Sequence, residues 1–239
     1  MREAARLSPA EREAIAAYGA RTTWPAGFTI YERGARADGV FLVLGGLVVL
    51  RTQMSSGRCF VPWVANEGAT FGGEGLEPRG CYATSARAEE VSETLHLGSS
   101  RFNALLREQP AHASALIRQV MAERTELLDR VAQQATLTVE QRLITALLRL
   151  TRSRQRRGGA PPVIPRRLLG ELVGATRESI SLVLGKLTGE GMVRRTGNGL
   201  IVTDVERLAG KLAERSRNAR IEVFDDRRVA ETHPSSPGG

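Results

Sequence analysis

At about residue 101 the hydrophobic pattern of this chain changes its period, and that change does most to limit the fold. From about 22 to 98, short apolar runs such as GVFLVLGGLVVLRTQ and RCFVPWVANEGATFGG are punctuated by glycine, with a turn-like Met54, Ser55, Ser56 and Gly57 between them. Runs of this length and spacing are strands joined by tight turns, which predicts a β-sandwich or β-roll. Ahead of them, residues 3–19 form a short predicted helix with Leu7, Ala14, Ile15 and Tyr18 as its apolar positions. Beyond Arg101 the spacing is helical. Pro110 stands at a helix start, and Ala113, Ile117, Val120, Met121, Leu127, Leu128 and Val131 recur at intervals of three, four and seven up to about Gln134. They make two parallel stripes, so this helix needs two partners: its own β-domain and a second copy of itself.

A second domain opens at TLTVEQRLITALLRL, where Val139, Leu143, Leu147 and Leu150 share one helix face. A basic, Gly/Pro-rich loop at 152–162 ends that helix, and the tail from about Ser216 reads as frayed or disordered. The net charge of +8 is concentrated here: residues 138–207 hold thirteen Lys/Arg against six Asp/Glu, whereas residues 21–107 hold nine against eight. A basic module beside a neutral one points to a polyanion, because lysine and arginine gain entropy by releasing counterions from phosphates.

Within the basic module, IPRRLLGELVGATRESISLVLGKLTGEGMVRRTGNGLIVTD is the most specific stretch. A first helix at about 165–173 carries Leu169, Leu172 and Val173, Gly174 and Ala175 make a tight turn, and Thr176 is a good N-cap for a second helix. That second helix places Ile180, Val183, Leu184 and Leu187 on one face, and Glu178, Ser181, Leu182 and Gly185 on the other, with Arg177 at its exposed first turn. Such a helix packs its apolar side on the first and turns its polar N-terminal residues to base edges in the major groove. Arginine can pair with guanine in bidentate fashion, and glutamate can accept from cytosine. Two short strands around a TGNG turn would form a wing. Arg166, Thr176, Lys186, Arg194 and Arg195 are the predicted phosphate contacts.

These residues resemble the cyclic-AMP receptor/fumarate-nitrate regulator (CRP/FNR) family over about 22–208: the GVFLVLGGLV strand, the ATFGGEGL loop, the SARA strand start, the long helix and GATRESISLVL. The resemblance implies an α+β fold with an N-terminal β-roll of the cyclic-nucleotide-binding type, a dimerisation helix and a C-terminal winged helix-turn-helix that reads a palindrome. It also implies that Arg177 and Glu178 read bases. The domains expected are 1–109, 110–136, 137–210 and a C-terminal extension at 211–239. Departures from the family pattern fall in the ligand pocket. Where cyclic-AMP-binding members place a glutamate for the ribose, this chain has Gly73, with Glu74 next to it. Their Arg-Ser pair for the phosphate aligns with Tyr82 and Ala83, and their adenine-facing hydroxyls with Leu127 and Leu128. A displaced Arg79 or Arg87 is the alternative phosphate ligand. Many members also carry an arginine where this chain has Leu182, which can pack on a thymine methyl but cannot hydrogen-bond a base.

Other chemistries find little footing. His96, His112 and His233 show no paired spacing for a metal, and Cys59 and Cys81 are too few for an iron–sulfur cluster or a disulfide framework. No cofactor and no enzymatic activity are expected. Without an apolar run of about 20 residues or a signal-peptide core, the chain is expected to be cytoplasmic and off the membrane. The expected partners are double-stranded DNA, a second copy of the chain, and RNA polymerase, which the 152–162 loop and the 54–57 turn would touch. Three readings remain open: a regulator active without a ligand, a regulator gated by another nucleotide or a redox signal, and an architectural DNA-binding protein.

Overall fold

The computed structural model describes residues 7–53, 57, 59–155, 161–197 and 199–214, and the chain divides into two compact units, Met1–Ala135 and Thr136–Gly239. Most of the 54–57 turn, residues 156–160 of the basic loop and the tail from 215 lie outside the described residues.

The first unit begins with α1 (Pro9–Ala16), shorter than the 3–19 span expected. Ser8 explains its start: the residue before a proline avoids helical backbone, and Ser8 and Glu11 bond each other's main-chain N–H in a capping box. Eight strands follow: β1 (Ala20–Trp24), β2 (Thr29–Tyr31), β3 (Gly39–Gly45), β4 (Leu47–Gln53), β5 (Cys59–Asn66), β6 (Thr70–Phe71), β7 (Ser85–Ala88) and β8 (Ser92–Gly98). They form two four-stranded antiparallel sheets, ordered β1-β8-β3-β6 and β2-β7-β4-β5. Residue alternation along β3 and β8 sends side chains to two different cores. Phe41 and Val43 face the interior between the sheets, with Tyr31, Val48, Trp63, Ala65, Phe71, Tyr82 and Ala86. Val40, Leu42, Leu95 and Leu97 join the other core, with Ile15, Phe102, Leu105 and Leu116 from the helices. The interior core is rich in aromatics: Tyr31 stacks on Tyr82 at 3.6 Å, and Phe41 on Phe71 at 4.9 Å. Trp24 stacks on Phe28 at 5.2 Å.

Helix α2 (Ser99–Glu108) is separated at Gln109 from α3 (Pro110–Thr136). One face of α3 is tied to the β-roll. Gln119, fully buried, donates to the Gly68 carbonyl at 2.7 Å and accepts from the Leu7 N–H at 2.8 Å. Glu123 accepts from the Thr70 N–H at 2.9 Å, from the Thr70 hydroxyl and from Gln119. Further along, Arg130 lies over the Trp63 ring at 5.5 Å and donates to the Pro62 carbonyl. The opposite stripe of α3 is exposed: Ile117 at 42%, Met121 at 51%, Leu128 at 59% and Val131 at 60%.

The second unit packs α4 (Val139–Gln155), α5 (Arg166–Val173) and α6 (Arg177–Gly189) against the hairpin of β9 (Val193–Thr196) and β10 (Gly199–Val202). Thr138 and Gln141 cap α4, and Leu143, Ile144 and Leu147 from it meet Leu169, Val173, Ile180, Leu184, Leu187, Val193 and Leu200 in one core. Ile164 bridges to Leu200 and widens the hairpin. A further helix over 205–214 adds Leu208 to this core.

Candidate nucleic-acid interface

The turn between α5 and α6 is set by one glycine. Gly174 adopts φ +66°, a left-handed conformation that a side chain would strain, and its N–H bonds the Gly170 carbonyl at 2.9 Å. Thr176 then caps α6 by accepting from the Ser179 N–H at 3.2 Å, so the helix begins at Arg177. Ile180, Leu184 and Leu187 are buried, which turns Arg177, Glu178, Ser181, Leu182, Gly185 and Lys186 outward as one strip. Leu182 is 77% exposed, so its side chain is free to contact an apolar group. The Glu178 carboxyl is held below the usual carboxylate range by its own backbone N–H and by the Thr176 hydroxyl. At neutral pH it therefore accepts hydrogen bonds and does not donate them. Arg166, at the start of α5, donates to the Ser181 hydroxyl at 3.3 Å and so reaches the same strip.

In the wing, Arg194 and Arg195 are both exposed and pair with Ile201 and Leu200 across the hairpin. Lys186 faces Glu140 of α4 at 3.7 Å, a partner that helical spacing within α6 could not reveal.

The loop where the family resemblance expects an effector is shaped by a glycine. Gly72 holds φ +73°, with Phe41 and Tyr82 beside it, and leads into a short 3-10 turn at Gly73–Leu76. At Gly73 a side chain would meet only Val120, at 3.6 Å. Glu74 reaches back to accept from the Ala83 N–H at 3.1 Å, which occupies a donor that a phosphate could have used. Tyr82 is buried against Tyr31, and its hydroxyl donates to Asp38 at 3.3 Å. Burial, with Asp38 beside it, pushes the Tyr82 hydroxyl up to about 12, so it stays neutral. His96 Nε2 lies 3.2 Å from the same carboxylate. Arg79 is exposed on a left-handed residue, and Arg87 alternates with the fully buried Ala86 and Ala88, which places it on the outer face of β7. A buried phosphate needs a cation or several free donors.

On α3 the two stripes differ. Leu128 belongs to the exposed one, with Ile117, Met121 and Val131, whereas Val120 and Leu127 are half-buried. Composition gave no warning of Gln119 and Glu123, since polar residues read as solvent-facing. Their spacing of three and seven from Leu116 was the signal available. Among the described residues no cluster of three His, Cys, Asp or Glu could hold a metal, and no helix is long and apolar enough to cross a membrane. Cys59 and Cys81 are both free thiols on the surface.

Comparison with known proteins agrees with this geometry. Residues 21–109 match the cyclic nucleotide-binding domain, and residues 141–210 the Crp-like helix-turn-helix domain. The cyclic AMP receptor protein of Thermus thermophilus is 31% identical over 193 residues, which cover 79% of this chain and 86% of that one. A CRP-like cAMP-activated global transcriptional regulator of Mycobacterium tuberculosis is 23% identical over 190 residues, 78% of this chain and 85% of that protein. Among solved structures, the c-di-GMP responsive global regulator CLP of Xanthomonas campestris superposes with a TM-score of 0.67 at 22% identity, covering 82% of this chain and 99% of that one.

Proposed function

The chain belongs to the CRP/FNR family of transcriptional regulators, whose members are regulators and not enzymes, and on that premise we propose that it works as a homodimer on inverted-repeat promoter sites and needs no cyclic AMP to bind them. The observation that carries the DNA reading is the outward strip of α6, capped by Thr176 and flanked by the wing arginines. Arg177 and Glu178 read base edges, Leu182 packs on a thymine methyl, and Ser181 lies beside them. Thr176, Arg166, Lys186, Arg194 and Arg195 hold phosphates. The roles follow the domains: a β-roll through 109, a dimer helix at 110–136, a DNA-binding domain at 137–210 and an extension from 211.

The exposed stripe of α3 supports the dimer. Ile117, Met121, Leu128 and Val131 lie at spacings of four, seven and three, a seam that two helices can share. A symmetric dimer of this kind reads half-sites about 34 Å apart, one turn of DNA. RNA polymerase is the partner through which such a regulator acts.

Independence from cyclic AMP rests on the pocket: Gly73 without a carboxylate, Glu74 turned to Ala83, and Tyr82 engaged with Asp38. A second reading, in which another effector gates the protein, draws on the match of residues 21–109 to the cyclic nucleotide-binding domain. Selection of binding sites from random DNA tests the main proposal. An inverted-repeat consensus is expected, and a flat sequence preference would mark an architectural protein instead. Mass spectrometry of the natively purified dimer separates the two readings of the pocket by the presence or absence of a retained small molecule.

A further inference from the structure

At the far end of α6, away from Arg177, five charged side chains meet. Glu190, the C-cap residue, puts a carboxylate at the end of the helix where the backbone dipole is already negative. Lys211, from the helix at 205–214, answers it with an ion pair of 2.5 Å, and hydrogen bonding to Lys211 is the main reason the Glu190 carboxyl sits below its usual range. The same lysine lies 3.9 Å from Glu140, whose Oε1 is also 3.7 Å from Lys186. Arg207 closes the group by donating to the Glu190 carbonyl at 3.0 Å. Exposure divides the two lysines: Lys186 is 48% exposed and Lys211 only 14%.

We propose that Lys211, which lies outside the helix-turn-helix, is a positioning residue for DNA binding: it engages Glu140 and Glu190 so that Lys186 is released to a DNA phosphate. This rests on the reading of α6 as the DNA-binding helix. The physical argument is one of competition. A half-exposed pair at 3.7 Å is weak, so a phosphate can draw Lys186 away from Glu140 while Lys211 remains to neutralise that carboxylate. Without Lys211, Glu140 has one cation fewer beside it and holds Lys186, 3.7 Å away, more strongly. The less exposed lysine thus sets how many cations the outer face offers. Helical periodicity could not show this, because the three participating segments are separated in sequence by about 20 to 70 residues.

The test is a double-mutant cycle on the full chain. Lys211→Met keeps the alkyl stem and removes the charge. Operator binding is measured over a range of salt for wild type, Lys186→Met, Lys211→Met and the double variant. In wild type, losing Lys186 should lower the slope of log affinity against log salt by about 0.9, the value for one phosphate. Lys211→Met should lower it by the same amount, on specific and random DNA alike, and adding Lys186→Met to it should change nothing more. Lys211→Arg should keep the wild-type slope. If Lys211→Met fails to fold, Glu140→Gln on its own carries the test, since it removes the carboxylate that competes with phosphate for Lys186 and should strengthen binding to random DNA. Equal and additive losses from the two lysines, or a Glu140→Gln protein that binds no better than wild type, overturns the proposal. A wild-type protein that binds no DNA in the same assay overturns the reading of α6 along with it.

Discussion

Glu123 is held by Thr70 and Gln119, yet burial still pushes its carboxyl up to about 7 from an ordinary 4.5. The folded protein therefore binds this proton more tightly than the unfolded chain does. The stability it contributes is complete below about 4.5 and is lost as pH rises through about 7. The difference is on the order of 3 kcal/mol. Replacing Glu123 with Gln should flatten that part of the pH dependence, so chemical denaturation at pH 5 and pH 8 should give closer midpoints than in wild type. Equal pH dependence in both proteins would place the proton elsewhere. On the DNA side, Arg177→Ala should cost about 1–3 kcal/mol on the best site and relax preference at one base pair. Arg194→Ala or Arg195→Ala should weaken every sequence alike and reduce the salt slope by about 0.9 each. If Arg177→Ala lost random and specific DNA equally, its base-reading role would be wrong.

An element can hide which of its faces matters, and α3 does so. Two apolar stripes were legible along it from spacing, but both contain leucine and valine, so periodicity alone left them equivalent. Contact with the β-roll separates them, leaving Met121 and Leu128 outward. Introducing glutamate at both should give a folded monomer by sedimentation, with operator binding reduced by an order of magnitude or more. Each buried Met or Leu side chain is worth about 1.5–3 kcal/mol, and the mutant seam would also carry like charges. A double variant that stays dimeric removes α3 from the interface. The strands and the helix-turn-helix could be read from local pattern, because glycine turns, the Thr176 cap and the Ile180, Leu184, Leu187 face are written in adjacent residues. What could not be read came from distant segments: the Glu123–Thr70 bonds, the Glu74–Ala83 bond, and the gathering of Tyr31, Phe41, Phe71 and Tyr82 in a chain with only 5% aromatics.

For the molecule as a whole, the question is whether a small ligand shifts it between states. A ligand does so only through differential affinity, so a nucleotide that does not bind cannot activate. Titration with millimolar cyclic AMP should therefore leave operator affinity unchanged, and calorimetry on the free protein should show no binding. A gain of about tenfold, equivalent to about 1.4 kcal/mol, would mean that the pocket holds the phosphate by a route other than Tyr82 and Ala83. The aromatic distribution supplies its own optical handle on such experiments. The chain has two tryptophans, Trp24 stacked on Phe28 and Trp63 buried beneath Arg130, and both belong to the β-roll. Intrinsic fluorescence excited at the indole band is thus a private reporter of that unit. Quenching or a red shift on adding a small molecule would register events in the roll with no label attached. Melting of the helix-turn-helix unit would pass unseen in the same cuvette, and would have to be followed by circular dichroism.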